Sequence, residues 1–186
     1  MIKAVSNKSN RQDKYPVDEY GVKVAQEVCA YHQSYPEYSM TPLVKLDNLA
    51  SALGVSKLMV KDESKRFGLN AFKVLGGSYC IGKYIAERLA LPEEKFNFTT
   101  LVSDEVKAQL GELTFVTATD GNHGRGVAWT ANRLGHKSVV FMPEETVPER
   151  LENIRKLGSD ASITDMSYDD CVRKAKACAD EYGWVI

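Results

Sequence analysis

The chain has 186 residues, of which 44% are hydrophobic and 26% are charged, as is typical of a globular protein with one or two domains. Its net charge is −1 and its basic residues are scattered among acidic ones, which argues against nucleic acid or an anionic membrane as a partner. No stretch approaches the ~20 apolar residues of a membrane-spanning helix, and the polar N-terminus lacks the apolar core of a secretory signal. We therefore expect a cytoplasmic protein with no membrane partner.

The cysteines give no sign of a metal site. They are widely spaced and form no C-x-x-C pair, so we expect free, partly buried thiols and no bound metal. They stand at four positions: Cys29, Cys80, Cys171 and Cys178.

The first half of the chain predicts helices separated by one strand. Apolar residues recur at helical spacing in three stretches, and a short apolar run between them predicts a buried strand. The predicted elements, in chain order, are a loose polar arm (1–15), a helix (18–32), a short helix (46–53) capped by Gly54, a buried strand (56–62), a loop (63–70), a helix (73–89) and a polar surface excursion with a short helix (93–111).

The second half alternates strands with helices that end at glycines. Its predicted strands are 113–119, 136–142 and 161–164, and its predicted helices are 122–134, 147–157 and 168–182. Repeated strand–helix units of this length predict a parallel, doubly wound α/β sheet. Residues 184–186 form an apolar triplet that starts another strand, so we expect a fragment of a longer protein. The alternative is a natural C-terminus that forms an edge strand.

The helix that begins near Lys73 has unusual residues in its first turns. A lysine at a helix start faces the positive end of the helix dipole, and Schiff-base chemistry requires a lysine amine in its neutral form. Gly76 and Gly77 each cost a helix about 1 kcal/mol relative to alanine. A flat ring or a neighbouring backbone that approaches closely would justify them. The alternative for Lys73 is an exposed lysine on a helix shoulder.

A second glycine-rich segment, T-A-T-D-G-N-H-G-R-G-V-A (residues 117–128), follows a predicted strand and opens a helix. This is the usual setting for a ligand at the carboxyl edge of a parallel sheet. The G-x-G-x-x-G order of a dinucleotide site is absent. Asp120 is a candidate N-cap, and His123 is either a ligand contact or a histidine satisfied within the core.

Together these segments resemble a known family. N-A-F-K-V-L-G-G (70–77) resembles the lysine motif of fold-type II pyridoxal-phosphate (PLP) enzymes, the tryptophan synthase β-like group. T-D-G-N-H-G (119–124) resembles their S-x-G-N-H-G segment, and T-P-L (41–43) also matches. The resemblance implies an incomplete, doubly wound parallel α/β fold of this type. Residues 1–80 would belong to the large PLP domain and residues 81–186 to a small α/β domain, with the rest of the large domain beyond 186.

Within this group, two stretches are similar to the diaminopropionate ammonia-lyases rather than to serine or threonine dehydratases. They are R-F-G-L-N-A-F-K (66–73) and A-T-D-G-N-H-G-R-G (118–126). The resemblance implies PLP-dependent α,β-elimination of a small amino acid, 2,3-diaminopropionate, to pyruvate and ammonia by a homodimer. An acid at Asp120 departs from the small residue that many family members carry there.

The same resemblance assigns roles to individual residues. It implies that Lys73 binds PLP through a Schiff base and then acts as a base on one face of the substrate. Asp120 would be the base for the opposite stereoisomer, and Asn122 would hydrogen-bond the 3-oxygen of the cofactor ring. The remaining cofactor contacts would come from Phe72 at the ring edge, Gly121 and His123.

One part of the family pattern is not found. The glycine-rich loop that holds the cofactor phosphate, and a second catalytic acid, would lie beyond Ile186. We therefore expect the 186 residues alone to bind PLP weakly or not at all and to be inactive. Two alternatives stay open: a serine or threonine dehydratase-like or cysteine synthase-like enzyme, and a non-catalytic α/β binding or assembly module.

Overall fold

The computed structural model describes residues 20–186, so the predicted arm (1–15) and the predicted start of the first helix lie outside the described residues. Within this part, no helix is both long and apolar enough to cross a membrane. The helices are α1 (Val22–Gln33), α2 (Asp47–Leu53), α3 (Val74–Arg88), α4 (Phe98–Leu101), α5 (Asp104–Leu110), α6 (Asn122–Arg133), α7 (Pro148–Arg155) and α8 (Tyr168–Tyr182). The strands are β1 (Leu43–Lys45), β2 (Met59–Lys61), β3 (Thr114–Ala118), β4 (Lys137–Met142) and β5 (Asp160–Ile163), and two 3₁₀ segments cover Glu63–Gly68 and Glu93–Lys95.

The second half of the chain forms a three-stranded parallel sheet in the order β3-β4-β5. In its register Ala118 pairs with Phe141, and Phe141 pairs with Ser162 on the other side. Val185 forms a parallel bridge to Phe115 at the free edge of β3, where a further strand was expected. The predicted order of alternating strands and helices is confirmed here.

Side chains of β4 alternate between two helical layers. Val140 and Met142 pack with residues of α6 and α7 on one face, whereas Phe141 packs against Cys171 and Ala175 of α8 on the other. A strand buried on both faces in this way has a continuous apolar sequence. The expected doubly wound arrangement is therefore present, with its carboxyl edge directed toward the loops that follow β3, β4 and β5.

The buried strand predicted over residues 56–62 is wrong in burial and length. The strand is the three-residue β2, which pairs antiparallel with β1, and both strands are exposed along their whole length. Leu43 is 60% exposed and Met59 is 48% exposed. A short apolar run resembles a core strand in sequence, but among residues 20–186 no second layer covers this pair.

The prediction that residues 93–111 form a surface excursion is also wrong. The segment folds into a 3₁₀ turn and two short helices, α4 and α5, and it contributes to the main core. Phe96 stacks on Tyr31 with ring centroids 4.5 Å apart, and the ring centroids of Phe98 and Tyr35 are also 4.5 Å apart. Isolated aromatic residues in a polar stretch show no periodicity, so the sequence pattern did not predict this packing.

Helices α3 and α6 approach each other closely through glycines. A Cβ on Gly126 would lie 2.9 Å from the Cα of Val74, and a Cβ on Gly77 would lie 3.6 Å from the carbonyl carbon of Gly126. The contact at Gly77 is of ordinary van der Waals length, so the close backbone approach lies at Gly126 and does not account for Gly77, and a Cβ on Gly76 would meet no atom within 4 Å. The domain boundary expected between residues 80 and 81 falls inside α3.

We predict that Gly126→Ala destabilises the protein, because the added methyl meets rigid helix backbone that cannot rotate away. Overpacking of this kind costs about 1–3 kcal/mol, which outweighs the ~1 kcal/mol that alanine contributes to a helix. Gly76→Ala is the matched control, since the space beside it is open, and it should leave the free energy of unfolding unchanged or higher. Urea unfolding measures both variants. Equal stability of the two would contradict the close α3–α6 contact.

Candidate active site

The loop that leads to Lys73 is fixed by a partly buried polar cluster. Arg66 Nε donates to Glu63 at 2.8 Å, and Arg66 Nη2 donates to the Thr41 hydroxyl at 3.0 Å. The Thr41 hydroxyl in turn donates to Glu63 at 2.6 Å. The hydrogen bond from Arg66 is the main reason that the pKa of Glu63 is lowered. The threonine of the T-P-L motif and the arginine of R-F-G-L therefore hold the chain that enters α3.

The first turns of α3 are held from behind by α1. His32 Nε2 lies 2.9 Å from Ser78 Oγ and 3.1 Å from the carbonyl oxygen of Leu75. The hydroxyl of Tyr31 donates to the carbonyl oxygen of Ser78 at 2.9 Å. Burial lowers the pKa of His32, so the ring is neutral at neutral pH. These contacts fix the turn that begins at Lys73.

An apolar cleft of about 630 Å³ opens between α3, β3 and the start of α6. Lys73 and Phe72 line it, and the surface of α3 that forms one wall includes Gly76. His123 lines the cleft from the first turn of α6. Phe72 is 61% exposed, so its ring is available to a ligand in this cleft. The bare backbone at Gly76 leaves room for a flat group against the helix.

A smaller polar cavity of about 210 Å³ is also lined by Lys73. It combines the loop after β3 with the exposed side of α7, and its charged lining is mainly cationic. The lining residues are Lys73, Asp120, Gly121, Asn122, Arg125, Arg150 and Asn153.

Lys73 is the residue that the apolar cleft and the polar cavity share. All six residues proposed from the sequence as site residues therefore line at least one of these two adjoining cavities. Phe72 and His123 line the apolar cleft. The polar cavity is lined by Asp120, Gly121 and Asn122. Within residues 20–186 no carboxylate forms an ion pair with the Lys73 amine. Lys73 thus borders both a space of apolar character and a set of polar groups.

The N-cap expected at Asp120 is wrong. Gly121 occupies the N-cap position of α6, and no side chain caps it. The hydroxyl of buried Thr119 instead accepts hydrogen bonds from the backbone N–H groups of Gly121, at 3.0 Å, and Gly124, at 3.1 Å. Because Thr119 satisfies these donors, the carboxylate of Asp120 is free to face the cavities.

Asp120 has a partner that sequence reasoning missed. Arg150 Nη1 donates to the carbonyl oxygen of Asp120 at 2.9 Å and lies 3.9 Å from its carboxylate. Arg150 comes 30 residues later, on α7, and nothing in its local sequence signals this contact. Arg125 also lines the polar cavity. It lies in the A-T-D-G-N-H-G-R-G stretch (118–126), but the sequence assigned it no role. Its Nε is buried and makes no hydrogen bond within the described part of the chain.

His123 is not a core histidine, since its side chain is exposed at the start of α6. The protein around the ring still desolvates it enough to lower its pKa, and the positive charge of Lys73 adds to this effect. A lowered pKa means that the ring is neutral at neutral pH and gains a proton only when the pH falls below 6.5. Lys73 and His123 both line the apolar cleft.

Comparison with known proteins agrees with this geometry. Diaminopropionate ammonia-lyase of Salmonella typhimurium is 50% identical over 163 residues, which cover 88% of this chain and 40% of that enzyme. Biosynthetic L-threonine dehydratase of the same organism is 29% identical over 153 residues, or 81% of this chain and 25% of the relative. The higher identity to the ammonia-lyase confirms the resemblance inferred from residues 66–73 and 118–126.

A solved structure shares the fold. The crystal structure of Escherichia coli diaminopropionate ammonia lyase in complex with D-serine superposes with a TM-score of 0.84 at 44% identity, covering 93% of this chain and 43% of that one. The chain therefore spans about 40% of the length of these ammonia-lyases. A family model described as pyridoxal-phosphate dependent enzyme matches residues 35–186. With more than half of its length matched, the chain belongs to the family of pyridoxal-phosphate dependent enzymes.

Proposed function

We propose that the complete enzyme containing this chain converts 2,3-diaminopropionate and water to pyruvate and two molecules of ammonia. The observation that carries the proposal is that Lys73 lines both the apolar cleft and the polar cavity, the latter together with Asp120 and Asn122. The identity to diaminopropionate ammonia-lyases supports the choice of substrate. In this reaction one carbon–nitrogen bond breaks by elimination and the other by hydrolysis.

The residues of the apolar cleft fit PLP. A flat ring needs an open helix surface, and Gly76 offers one where even a methyl group would contact nothing. Phe72 and His123 border the same space, and Asn122 lines the polar cavity that shares Lys73 with it. When bound, PLP withdraws electrons from the substrate Cα and so makes its proton removable. We propose that Lys73 binds the cofactor covalently and that Phe72, Gly121, Asn122 and His123 contact it, with Asn122 at the ring 3-oxygen.

Two bases on opposite sides would serve the two stereoisomers of the substrate. The Lys73 amine would take the Cα proton of one isomer, and the Asp120 carboxylate would take it from the other. Support comes from their shared lining of the polar cavity and from the Asp120 carboxylate, which is not used to cap α6. General bases of this kind contribute about 10²–10⁴-fold to a rate.

Several expectations from the sequence stay predictions. These are the division into a large-domain part (1–80) and a small domain (81–186), the homodimer, the cytoplasmic location and the weak PLP binding of the 186 residues alone. The dehydratase-like and cysteine synthase-like reactions use the same fold, and a non-catalytic module would keep the fold without the chemistry. A substrate panel separates these possibilities.

We predict that the PLP-loaded enzyme releases ammonia from diaminopropionate and little from serine or threonine. Lys73→Ala should lower kcat with diaminopropionate by about 10³-fold or more, because it removes both the cofactor bond and a base. Lys65→Ala, an exposed lysine in the preceding 3₁₀ segment, is the control and should leave kcat unchanged. Preferred turnover of serine or threonine would instead support a dehydratase-like enzyme. No turnover of any amino acid would support a non-catalytic binding or assembly module.

We also predict that Asp120→Asn discriminates between the stereoisomers. The amide keeps the size of the side chain but cannot accept the Cα proton, so kcat for the D isomer should fall by about 10²–10⁴-fold. Turnover of the L isomer should change far less if Lys73 is its base. Separate kcat measurements on the pure isomers check this, and equal losses on both would rule out distinct bases.

A further inference from the structure

Arg150 is attached to Asp120 through the backbone rather than through a simple surface ion pair. Its guanidinium donates to the Asp120 carbonyl oxygen at 2.9 Å and stays 3.9 Å from the carboxylate. Its stem also passes over the next residue, since a Cβ on Gly121 would lie 3.7 Å from the Arg150 Cδ. One side chain from α7 therefore restrains both residues at the turn before α6.

Asp120 lines two cavities that differ in charge. On one side lies the cationic polar cavity with Lys73, Arg125 and Arg150. On the other side Asp120 borders a separate cavity of about 520 Å³ whose lining includes Glu144 and Glu145. With Arg150 present, the carboxylate is attracted toward the side that holds Lys73. Without it, the turn is freer and the main neighbouring cation is lost.

We propose that Arg150 is a positioning residue that holds Asp120 toward the polar cavity and thereby sets how well the enzyme uses the D isomer. The inference rests on the proposed function, in which Asp120 is the base for that isomer. An exposed ion pair alone is worth little, so the effect depends on the fixed geometry of the turn. Misplacement of a catalytic group by about 1 Å can cost up to ~10²-fold in rate.

A different role for Arg150 makes a different prediction. A guanidinium that bound the substrate carboxylate directly would affect both stereoisomers, because both carry the same carboxylate. Its loss would raise KM for the D and L isomers together. A role that acts through Asp120 instead lowers kcat for the D isomer and leaves the L isomer nearly unchanged.

The test is Arg150→Gln in the PLP-loaded enzyme, with kcat and KM measured on pure D- and L-2,3-diaminopropionate. We expect kcat for the D isomer to fall roughly 10- to 100-fold and kcat for the L isomer to change less than about threefold. Arg150→Lys keeps the charge and should restore part of the D activity. Arg155→Gln is the matched control on α7, since Arg155 contacts Glu152 and the carbonyl oxygen of Ala161 and should not alter the D/L ratio.

The outcomes separate this inference from the proposed function. Equal losses on both isomers, a rise in KM alone, or no change in Arg150→Gln would overturn the positioning role while leaving the lyase activity intact. The same holds if the unmodified enzyme uses only the L isomer. If it releases no ammonia from either isomer, the proposed function itself fails before any variant is compared.

Discussion

The close contact between α3 and α6 is the constraint on which the site depends. Because Gly126 has no side chain, the two helix backbones meet directly, and Gly126 packs against the Cα of Val74. Val74 follows Lys73, so the contact brings the lysine to the loop that carries Asp120 and Asn122. Any side chain at Gly126 would push the two halves of the site apart.

The position of Lys73 also fits the two roles proposed for its amine, which are to bind the cofactor and to take a proton from the substrate. The apolar cleft that it lines is suited to a flat ring, and the polar cavity that it lines carries groups suited to a charged amino acid. The surrounding network is rigid on the protein side: His32 and Ser78 hold the turn of α3, while Thr119 holds the turn before α6. The reactive side chains are thus exposed on a fixed backbone, as an active site requires.

Much of this could be predicted from sequence because local signals coincided with the fold. Gly54 and Gly183 adopt the left-handed conformation that ends α2 and α8, and the glycine-rich motifs marked the two segments that meet. What could not be predicted depends on contacts between distant residues. Arg150 reaches Asp120 from another helix, and Phe96 joins the core from a polar stretch. The exposure of β1 and β2 likewise depends on what covers them, which an apolar run does not reveal.

The most direct test of the account is to reduce the PLP-loaded enzyme with borohydride and to map the labelled peptide. The geometry predicts a single labelled lysine, Lys73, because it lines both cavities and forms no ion pair in residues 20–186. A label on any other lysine, or on none, would contradict the convergence of α3 and α6 on one cofactor site.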